Sequence, residues 1–205
     1  AHLRTPSAQS GDLAQLTSDI FADPSAKTID SVLRKAVEFA RHSVGLERAA
    51  IYLVSPDGRS MMGTWGTDQF GKTTDEHDLM INISSLLRQS FARASQGHAW
   101  SLFDDCPLIT HEGGQSRVLR RGWHVCTVIQ GGGEPIGVMF NDTALSGAPV
   151  DEGQQARLAV LCSVLGRALE PCRVRIFDTG LGESKAQHPL VREAARILLS
   201  DPSIS

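Results

Sequence analysis

The chain has 205 residues, of which 41% are hydrophobic, and it carries a formal net charge of −3. A chain of this length can bury one domain core without metal or disulfide support. The negative net charge argues against direct nucleic-acid binding by the main domain, and no apolar run reaches the roughly 20 residues that cross a bilayer. The cysteines show no disulfide or zinc spacing, so we expect a cytoplasmic protein. Because no apolar run is long enough to cross a bilayer, we expect no membrane partner.

Helices are predicted at the start of the chain. Residues 1–10 are polar and are expected to form a flexible terminus, whereas the apolar residues of 11–21 recur at helical spacing. The apolar residues of Ile29–Val44 also recur at helical spacing, which predicts one continuous stripe along a helix that Gly45 closes. The first strand is therefore entered from a helix with one apolar face.

A β-hairpin and another helix follow. Arg48–Val54 is predicted to be a strand, and Arg59–Trp65 its returning partner across a Pro-Asp-Gly turn. The Gly- and Thr-rich residues 66–76 predict a loop, and Ile81–Ala94 carries apolar residues at helical spacing. The first half of the domain is thus predicted as helix, hairpin, loop and helix.

The second half is predicted to contain a short strand, a second hairpin and a closing helix. His98–Phe103 is a candidate short strand, and residues 104–116 are predicted to be irregular because they contain a proline and a Gly-Gly pair. Trp123–Gln130 and Pro135–Asn141 have hairpin spacing around three glycines, and Asp151–Leu169 predicts a long helix.

This order of elements predicts an α+β domain, an antiparallel β-sheet flanked by helices. The helices at the two ends of the domain have matching apolar stripes, so we expect them together on one face of the sheet. A mainly parallel sheet, or these helices on opposite faces, would contradict the prediction.

Two stretches of the chain resemble the opening and closing elements of a known domain family. In the first, a long helix leads into Glu47–Gly58, a strand that ends in an acidic-glycine turn. In the second, Glu134–Phe140 is a glycine-containing strand followed by a helix that opens with an Asp-Glu pair. The resemblance covers residues 12–170 and implies a GAF-like sensor domain over 11–170 that binds a small-molecule effector.

The resemblance leaves the effector and any cofactor unidentified. Cyclic-nucleotide-binding GAF domains share an Asn-Lys pair and an Asp-Glu pair; here Asn141 and Asp151-Glu152 match, but Asp142 stands at the Lys position. Asp151 followed by Gln154 is also the pattern of a helix-capping box, which is the interpretation we favour. The sequence therefore does not predict a cyclic nucleotide as the ligand.

The end of the chain carries a separate signal. After a predicted linker at 171–187, residues 188–205 are similar to the lead-in and first helix of AraC-type DNA-binding domains. The resemblance implies a transcription regulator that contacts DNA only through recognition helices beyond Ser205. The alternative is an amphipathic helix that packs back on the sensor domain.

A GAF-like fold implies a ligand pocket between the sheet and the chain from Gly66 to Ser116. Aromatic walls with a few convergent polar groups are typical of such pockets. The alternative for each tryptophan is an ordinary place in the core. The candidate ligand-binding residues are Trp65, Trp100, Phe103, Asp104, Cys106, Trp123 and His124.

Metal and bilin sites are weighed on the same segment. The residues of 104–106, His111 and Glu112 include metal-ligand types, but their spacing is not diagnostic, so no metal site is predicted. Bilin-binding GAF domains commonly attach the chromophore to a Cys followed by His. Cys106 precedes a proline and Cys126 a threonine, so covalent bilin attachment is not expected.

A thiol enzyme is the alternative function. His124 and Cys126 lie on the same face of a predicted strand, which would suit a base and a nucleophile, although a buried structural cysteine explains Cys126 as well. Free-methionine-sulfoxide reductases are GAF domains with clustered cysteines, and Cys106 with Cys126 would be the thiol pair here. The closely spaced cysteine series of that family is missing, so we expect no enzyme activity.

A homodimer is also expected. GAF domains often pair through their first and last helices, and AraC-type regulators commonly read paired half-sites, for which a two-fold sensor is a natural scaffold. The alternative is that both apolar stripes are used on the sheet of the same chain.

Overall fold

The computed structural model describes residues 28–112 and 115–172. The helix predicted at 11–21 and the AraC-like segment at 188–205 lie outside the described residues, as does the linker beyond Cys172. Within the described residues, three α-helices and eight strands form one α+β domain. The helices are α1 (Ile29–His42), α2 (Ser85–Ser95) and α3 (Glu152–Leu169), and a short 3₁₀ turn follows at Glu170–Cys172.

The strands form one large antiparallel sheet and one small one. The six-stranded sheet has the order β5-β2-β1-β8-β7-β6, and β3 pairs with β4 beside it. The predicted α+β class with an antiparallel sheet is confirmed. In chain order the strands are β1 (Arg48–Val54), β2 (Ser60–Gly63), β3 (Trp65–Thr67), β4 (Thr73–Asp75), β5 (Met80–Asn82), β6 (Trp100–Glu112), β7 (Gln115–Gly131) and β8 (Glu134–Asp142).

The helices α1 and α3 pack together on one face of the large sheet, as predicted. Their apolar stripes enclose a core that includes the fully buried Leu33, Ile51, Met139, Leu161 and Leu165. Helix α1 and strand β1 come from the start of the domain, and β8 and α3 come from its end. Because β1 pairs with β8, the first and last parts of the domain lie side by side. This face is closed by apolar packing alone over most of its area.

Local hydrogen bonds fix where these helices begin. Thr28 caps α1 in a reciprocal capping box with Ser31. Asp151 caps α3 by accepting a hydrogen bond from the Gln154 amide at 3.0 Å, which confirms the capping interpretation of Asp151. The Gln154 side chain makes a different contact, because its Nε2 donates to the Gly45 carbonyl at 2.8 Å. Gln154 therefore ties the start of α3 to the chain just beyond α1.

The apolar stripes of α1 and α3 are buried within this domain. The buried residues of α1 include Val32, Leu33 and Val37, which contact the sheet of the same chain. A homodimer would therefore use another surface of these helices, and dimerisation stays a prediction. None of the helices in the described ranges is long and apolar enough to cross a membrane.

Two segments predicted as loop or irregular chain are strands. Residues 66–76 include part of the β3–β4 ribbon, and residues 104–112 continue β6. Strand β6 lies at the edge of the sheet, so one of its sides has no partner strand. Proline lacks a backbone N–H and is tolerated in such edge strands, which accounts for Pro107. The predicted helix at Ile81–Ala94 starts later than expected, because Met80–Asn82 pairs with β2 instead.

Candidate ligand-binding cavity

A cavity of about 300 Å³ lies on the second face of the sheet, partly covered by α2. Its walls come from β1, β7 and β8 in the sheet, from β6 at the edge, and from Leu86 and Leu87 of α2. The resemblance to GAF domains implies a pocket in this position. That a ligand binds in the cavity stays a prediction.

Aromatic rings form one wall of the cavity. The ring centroids of Phe103 and His124 are 5.0 Å apart, those of His124 and Phe140 are 5.8 Å apart, and those of Phe140 and Tyr52 are 5.7 Å apart. These separations are those of favourable edge-to-face or tilted contacts. Burial lowers the pKa of His124, so its ring is held neutral at physiological pH. The wall is therefore aromatic and uncharged along its length.

A β-bulge brings two of the predicted residues to this wall. Phe103 pairs with His124 and Cys106 pairs with Gly122, so two residues of β6 lie opposite one residue of β7 between these pairs. Asp105, in this bulge, has a φ of 50°, and its carboxylate accepts from the Arg121 guanidinium at 2.8 Å. In a regular strand, residues three positions apart such as Phe103 and Cys106 would face opposite sides. The bulge places both at the cavity.

A buried arginine marks the polar end of the cavity. Arg48 is 8% exposed, and its Nη2 donates to the Ile109 carbonyl at 2.6 Å. Its Nε lies 3.7 Å from Asp142 Oδ1 across the β1–β8 register. Burial raises the pKa of Asp142, although the Arg48 charge and the Ala144 backbone amide oppose the shift. The charges are close, but the Arg48 guanidinium makes no hydrogen bond to this carboxylate.

A second carboxyl group, that of Glu76, also lines the cavity. Glu76 is 6% exposed and accepts a hydrogen bond from the Tyr52 hydroxyl at 3.0 Å. Burial raises the pKa of Glu76, with the Tyr52 hydrogen bond and the Arg48 charge acting in the opposite direction. The carboxyl fits here because Gly66 has no side chain: a Cβ at Gly66 would lie 2.0 Å from Glu76 Oε1. Gly66 therefore makes room for an acid in the cavity wall.

Three of the seven predicted ligand-binding residues line the cavity: Phe103, Cys106 and His124. The other four lie elsewhere. Asp104 is exposed in the bulge, and Trp100 stands at the start of β6, paired with Thr127. The Trp123 indole N–H donates to the Ala148 carbonyl at 2.9 Å.

Trp65 lies on the opposite face of the sheet from the cavity. It packs against the core under α1, and its indole N–H donates to Asp30 Oδ1 at 2.7 Å. The Arg34 guanidinium lies 5.1 Å from its ring centroid. Trp65 therefore has a structural place in the packing of α1, which is the alternative interpretation of each tryptophan in the sequence.

Cys106 and Cys126 do not form a thiol pair. In the β6–β7 register Cys106 is opposite Gly122, while Cys126 is opposite Ser101. Because Gly122 and Cys126 are four residues apart on β7, Cys106 and Cys126 are separated by about 13 Å along the strand direction. This distance is far beyond the Cα separation of a disulfide. Burial raises the pKa of Cys106, and it raises the pKa of Cys126 to about 12. Both thiols are held protonated at neutral pH, so their surroundings activate neither as a nucleophile.

Sequence reasoning missed the charged residues of the cavity. Arg48 begins β1 and Asp142 ends β8, and antiparallel pairing places them side by side. A charged residue at the end of each of two apolar strands was the available signal, because opposite charges on paired strands attract. Glu76 gave no comparable signal, since it lies in a polar segment. No group of three or more His, Cys, Asp or Glu is placed to hold a metal ion in the described part of the chain.

Comparisons with known proteins identify the fold. No protein-family model matches the chain, and no curated protein matches it. Among solved structures, the GAF domain of a phosphoenolpyruvate-protein phosphotransferase from Coxiella burnetii is similar to it. The two share 14% identity and a TM-score of 0.57, over 83% of this chain and 97% of that chain.

Two further solved structures are similar over most of their length. A far-red-absorbing protein in its dark state, with bound biliverdin IXa, shares 15% identity and a TM-score of 0.51 over 80% of this chain and 98% of its own. A free methionine-R-sulfoxide reductase from Neisseria meningitidis, in complex with its substrate, shares 16% identity and a TM-score of 0.51 over 80% and 92%. These similarities show that the chain has a GAF-like fold.

Proposed function

We propose that this GAF-like domain is a sensor that binds a small-molecule effector in the cavity between the sheet and α2. The observation that carries the proposal is the cavity itself, which at about 300 Å³ lies at the small end of the range for ligand pockets. Its lining combines an aromatic wall with a few buried polar groups, which is the composition of small-molecule sites. Two proteins with the same fold hold a small molecule, one biliverdin and one its substrate.

The test is a thermal-shift screen of the 205-residue chain against a library of neutral, anionic and cationic small molecules. A ligand that binds only the folded state stabilises it, by about 2.7 kcal/mol at a concentration of 100 times its Kd. We expect at least one chemical class to raise the melting temperature in a saturable way. If no class does so, the sensor proposal is wrong.

A matched pair of variants locates the binding. Ala50 lines the cavity, so A50L should fill part of the cavity and remove the ligand-induced shift. Ala92 is exposed on α2, so A92L makes the same change without entering the cavity. A ligand shift that survives A50L in a folded protein would place the site elsewhere.

We further propose that the sensor controls an attached DNA-binding domain in a transcription regulator. The support is the similarity of residues 188–205 to the start of AraC-type DNA-binding domains, which the sequence alone provides. The described domain has no role in reading DNA in this proposal, and the formal net charge of −3 agrees with that. In a mobility-shift assay at physiological salt, we expect the 205-residue chain to bind DNA no better than nonspecifically. Tight, sequence-dependent binding would contradict the proposal.

We infer that the sensor has no thiol-based turnover. The support is the separation of Cys106 and Cys126 along the β6–β7 pair and the raised pKa of both thiols. The assay is reduction of free methionine sulfoxide with a dithiol donor by the parent and by the C106S/C126S double variant. Turnover in the parent well above the uncatalysed rate, and lost in the double variant, would overturn this inference.

We also propose that the chain is a homodimer, as AraC-type regulators that read paired half-sites would need. The measurement is sedimentation of the 205-residue chain across micromolar concentrations. A monomer throughout would reject the dimer.

A further inference from the structure

The Arg48 guanidinium is short of hydrogen-bond acceptors. Its side chain is 9% exposed, yet Nε and Nη1 are buried and make no hydrogen bond within residues 28–112 and 115–172. The third donor group, Nη2, donates to the Ile109 carbonyl at 2.6 Å. A buried donor without an acceptor is unfavourable, and the cost is higher for a charged group. The cavity therefore contains a cation with unused donors.

The neighbouring carboxyl groups do not supply the missing acceptors. Asp142 Oδ1 is 3.7 Å from Arg48 Nε, and it already accepts from the Ala144 amide at 2.9 Å. Glu76 accepts from the Tyr52 hydroxyl at 3.0 Å. Burial favours the neutral form of both acids, since it raises the pKa of each. An acceptor brought by a ligand would satisfy donors that the protein leaves unused.

The rest of the cavity suits a flat apolar body. The rings of Phe103, His124 and Phe140 stand side by side along one wall, and Leu86 and Leu87 of α2 also line the cavity. His124 and His111 are held neutral because burial lowers the pKa of each. Among the described residues that line the cavity, Arg48 is the only Lys or Arg. One permanent positive charge matches a ligand with a single negative charge.

We propose that the effector is a small aromatic monocarboxylate, whose ring lies along the Phe103–His124–Phe140 wall and whose carboxylate accepts hydrogen bonds from the free donors of Arg48. The proposal rests on the proposed function, because it assumes that the cavity binds the effector. A monoanion is favoured over a phosphate with two negative charges, because the Arg48 guanidinium supplies one permanent positive charge at the cavity. An aromatic acid also places its charge at one end and its ring at the other, as the cavity does.

The first test needs no variant. The probes are benzoate, phenylacetate and 3-phenylpropionate, each compared with its own primary amide and with the amine of the same carbon skeleton, by isothermal titration calorimetry at neutral pH. We expect at least one acid to bind about 10- to 100-fold more tightly than its amide, the difference that a hydrogen bond to a charged group provides. If no acid binds more tightly than its amide, the proposal is wrong.

The second test uses variants of the full 205-residue chain. R48Q should weaken binding of the preferred acid by about 10- to 100-fold while leaving its amide nearly unchanged. R48K, which keeps the charge but loses the fork of donors, should lie between R48Q and the parent, and it remains informative if R48Q does not fold. R88Q is the matched control, because Arg88 is exposed on α2. Acid binding that neither Arg48 variant weakens would overturn the proposal.

The remaining outcomes separate this proposal from the one it rests on. If an amine binds most tightly and E76Q weakens it, the cavity recognises a cation; the ligand class is then wrong while the sensor proposal stands. If neither these probes nor the neutral, anionic and cationic library stabilise the chain, the sensor proposal fails together with the ligand class.

Discussion

The two faces of the large sheet are covered in different ways. On one face α1 and α3 bury a continuous apolar core, in which many side chains have no exposed surface. On the other face α2 covers the sheet only in part. The buried residues of α2 itself are the small Ser90 and Ala94. The area left beside α2 is the cavity, where Arg48 and Glu76 are buried among aromatic rings. One sheet thus carries most of the stabilising packing on one side and the groups suited to recognition on the other.

The largest effect is expected from truncating the closed face. Leu161 of α3 is fully buried in the core, so L161A should lower the free energy of unfolding by about 2–5 kcal/mol. Leu86 of α2 is 54% exposed at the cavity, so L86A should change it by no more than about 0.5 kcal/mol. Urea denaturation of both variants measures the difference. Equal losses would mean that Leu161 on the closed face contributes no more to stability than Leu86 beside the cavity.

Close contact between α3 and the sheet gives the next prediction. A Cβ on Gly166 would lie 1.8 Å from the Gln130 carbonyl oxygen, which is backbone and cannot move aside. G166A should therefore destabilise the fold by about 1–3 kcal/mol, the usual cost of overpacking. Gly153, in the exposed first turn of the same helix, is the control, and G153A should change stability by less than about 1 kcal/mol. Thermal unfolding of both variants tests the prediction; a neutral G166A would contradict this helix–sheet contact.

A buried amide pair joins α3 to strand β8. The Asn141 and Gln155 side chains exchange two hydrogen bonds of 3.0 Å, and Asn141 also contributes to the cavity lining. Q155A leaves the Asn141 amide without its partner and should cost about 1–3 kcal/mol. Q89A, at an exposed site on α2, is the control. A double-mutant cycle with N141A should show that the two losses are not additive. Additive losses would mean that the pair contributes nothing beyond its separate side chains.

How far the sequence predicts each face follows from the same difference. The closed face is made by long periodic segments, so α1, β1 and α3 could be assigned from apolar spacing alone. The cavity face depends on pairing between distant segments. Phe103 and Cys106 lie on the same side of β6 because of the bulge at Asp105. No local pattern in a polar segment predicts a bulge. Pro107 favoured an irregular assignment, because proline is rare inside strands. An edge strand tolerates proline, but the sequence pattern does not show which strand lies at the edge.

The candidate site was predicted in part for a related reason. Aromatic residues and a histidine were the visible signal, and Phe103 and His124 do line the cavity. Trp65 and Trp123 carried the same signal, but their indole N–H groups pair with Asp30 and Ala148 outside it. Residue type cannot distinguish these positions, because each Trp offers the same ring and the same donor. Only the three-dimensional register separates cavity wall from structural packing.

The smallest expected effect is a pH dependence at the edge of the closed face. His77 Nε2 lies 3.0 Å from Asp30 Oδ1 of α1, and its Nδ1 lies 2.6 Å from Asp75 Oδ1 of β4. The Asp30 carboxylate raises the pKa of His77 against the effect of partial burial, and Asp75 adds to the rise. A histidine with a raised pKa in the folded state stabilises that state most at pH values below its unfolded pKa. The stabilisation is lost as the pH rises through the folded-state pKa, above about 6.5.

H77Q removes the titrating group, so its melting temperature should decline less than that of the parent between pH 5.5 and 8.5. His98 is exposed, and H98Q serves as the matched control that should keep the parent's profile. The difference should be small, because the three side chains are partly exposed and solvent screens their charges. The ring of His77 also contacts Trp65 edge-on, with centroids 5.7 Å apart, so H77Q should lower stability slightly at every pH. A uniform loss with an unchanged slope would assign His77 to packing alone, and a reduced slope would show that its charge helps hold α1 against the sheet.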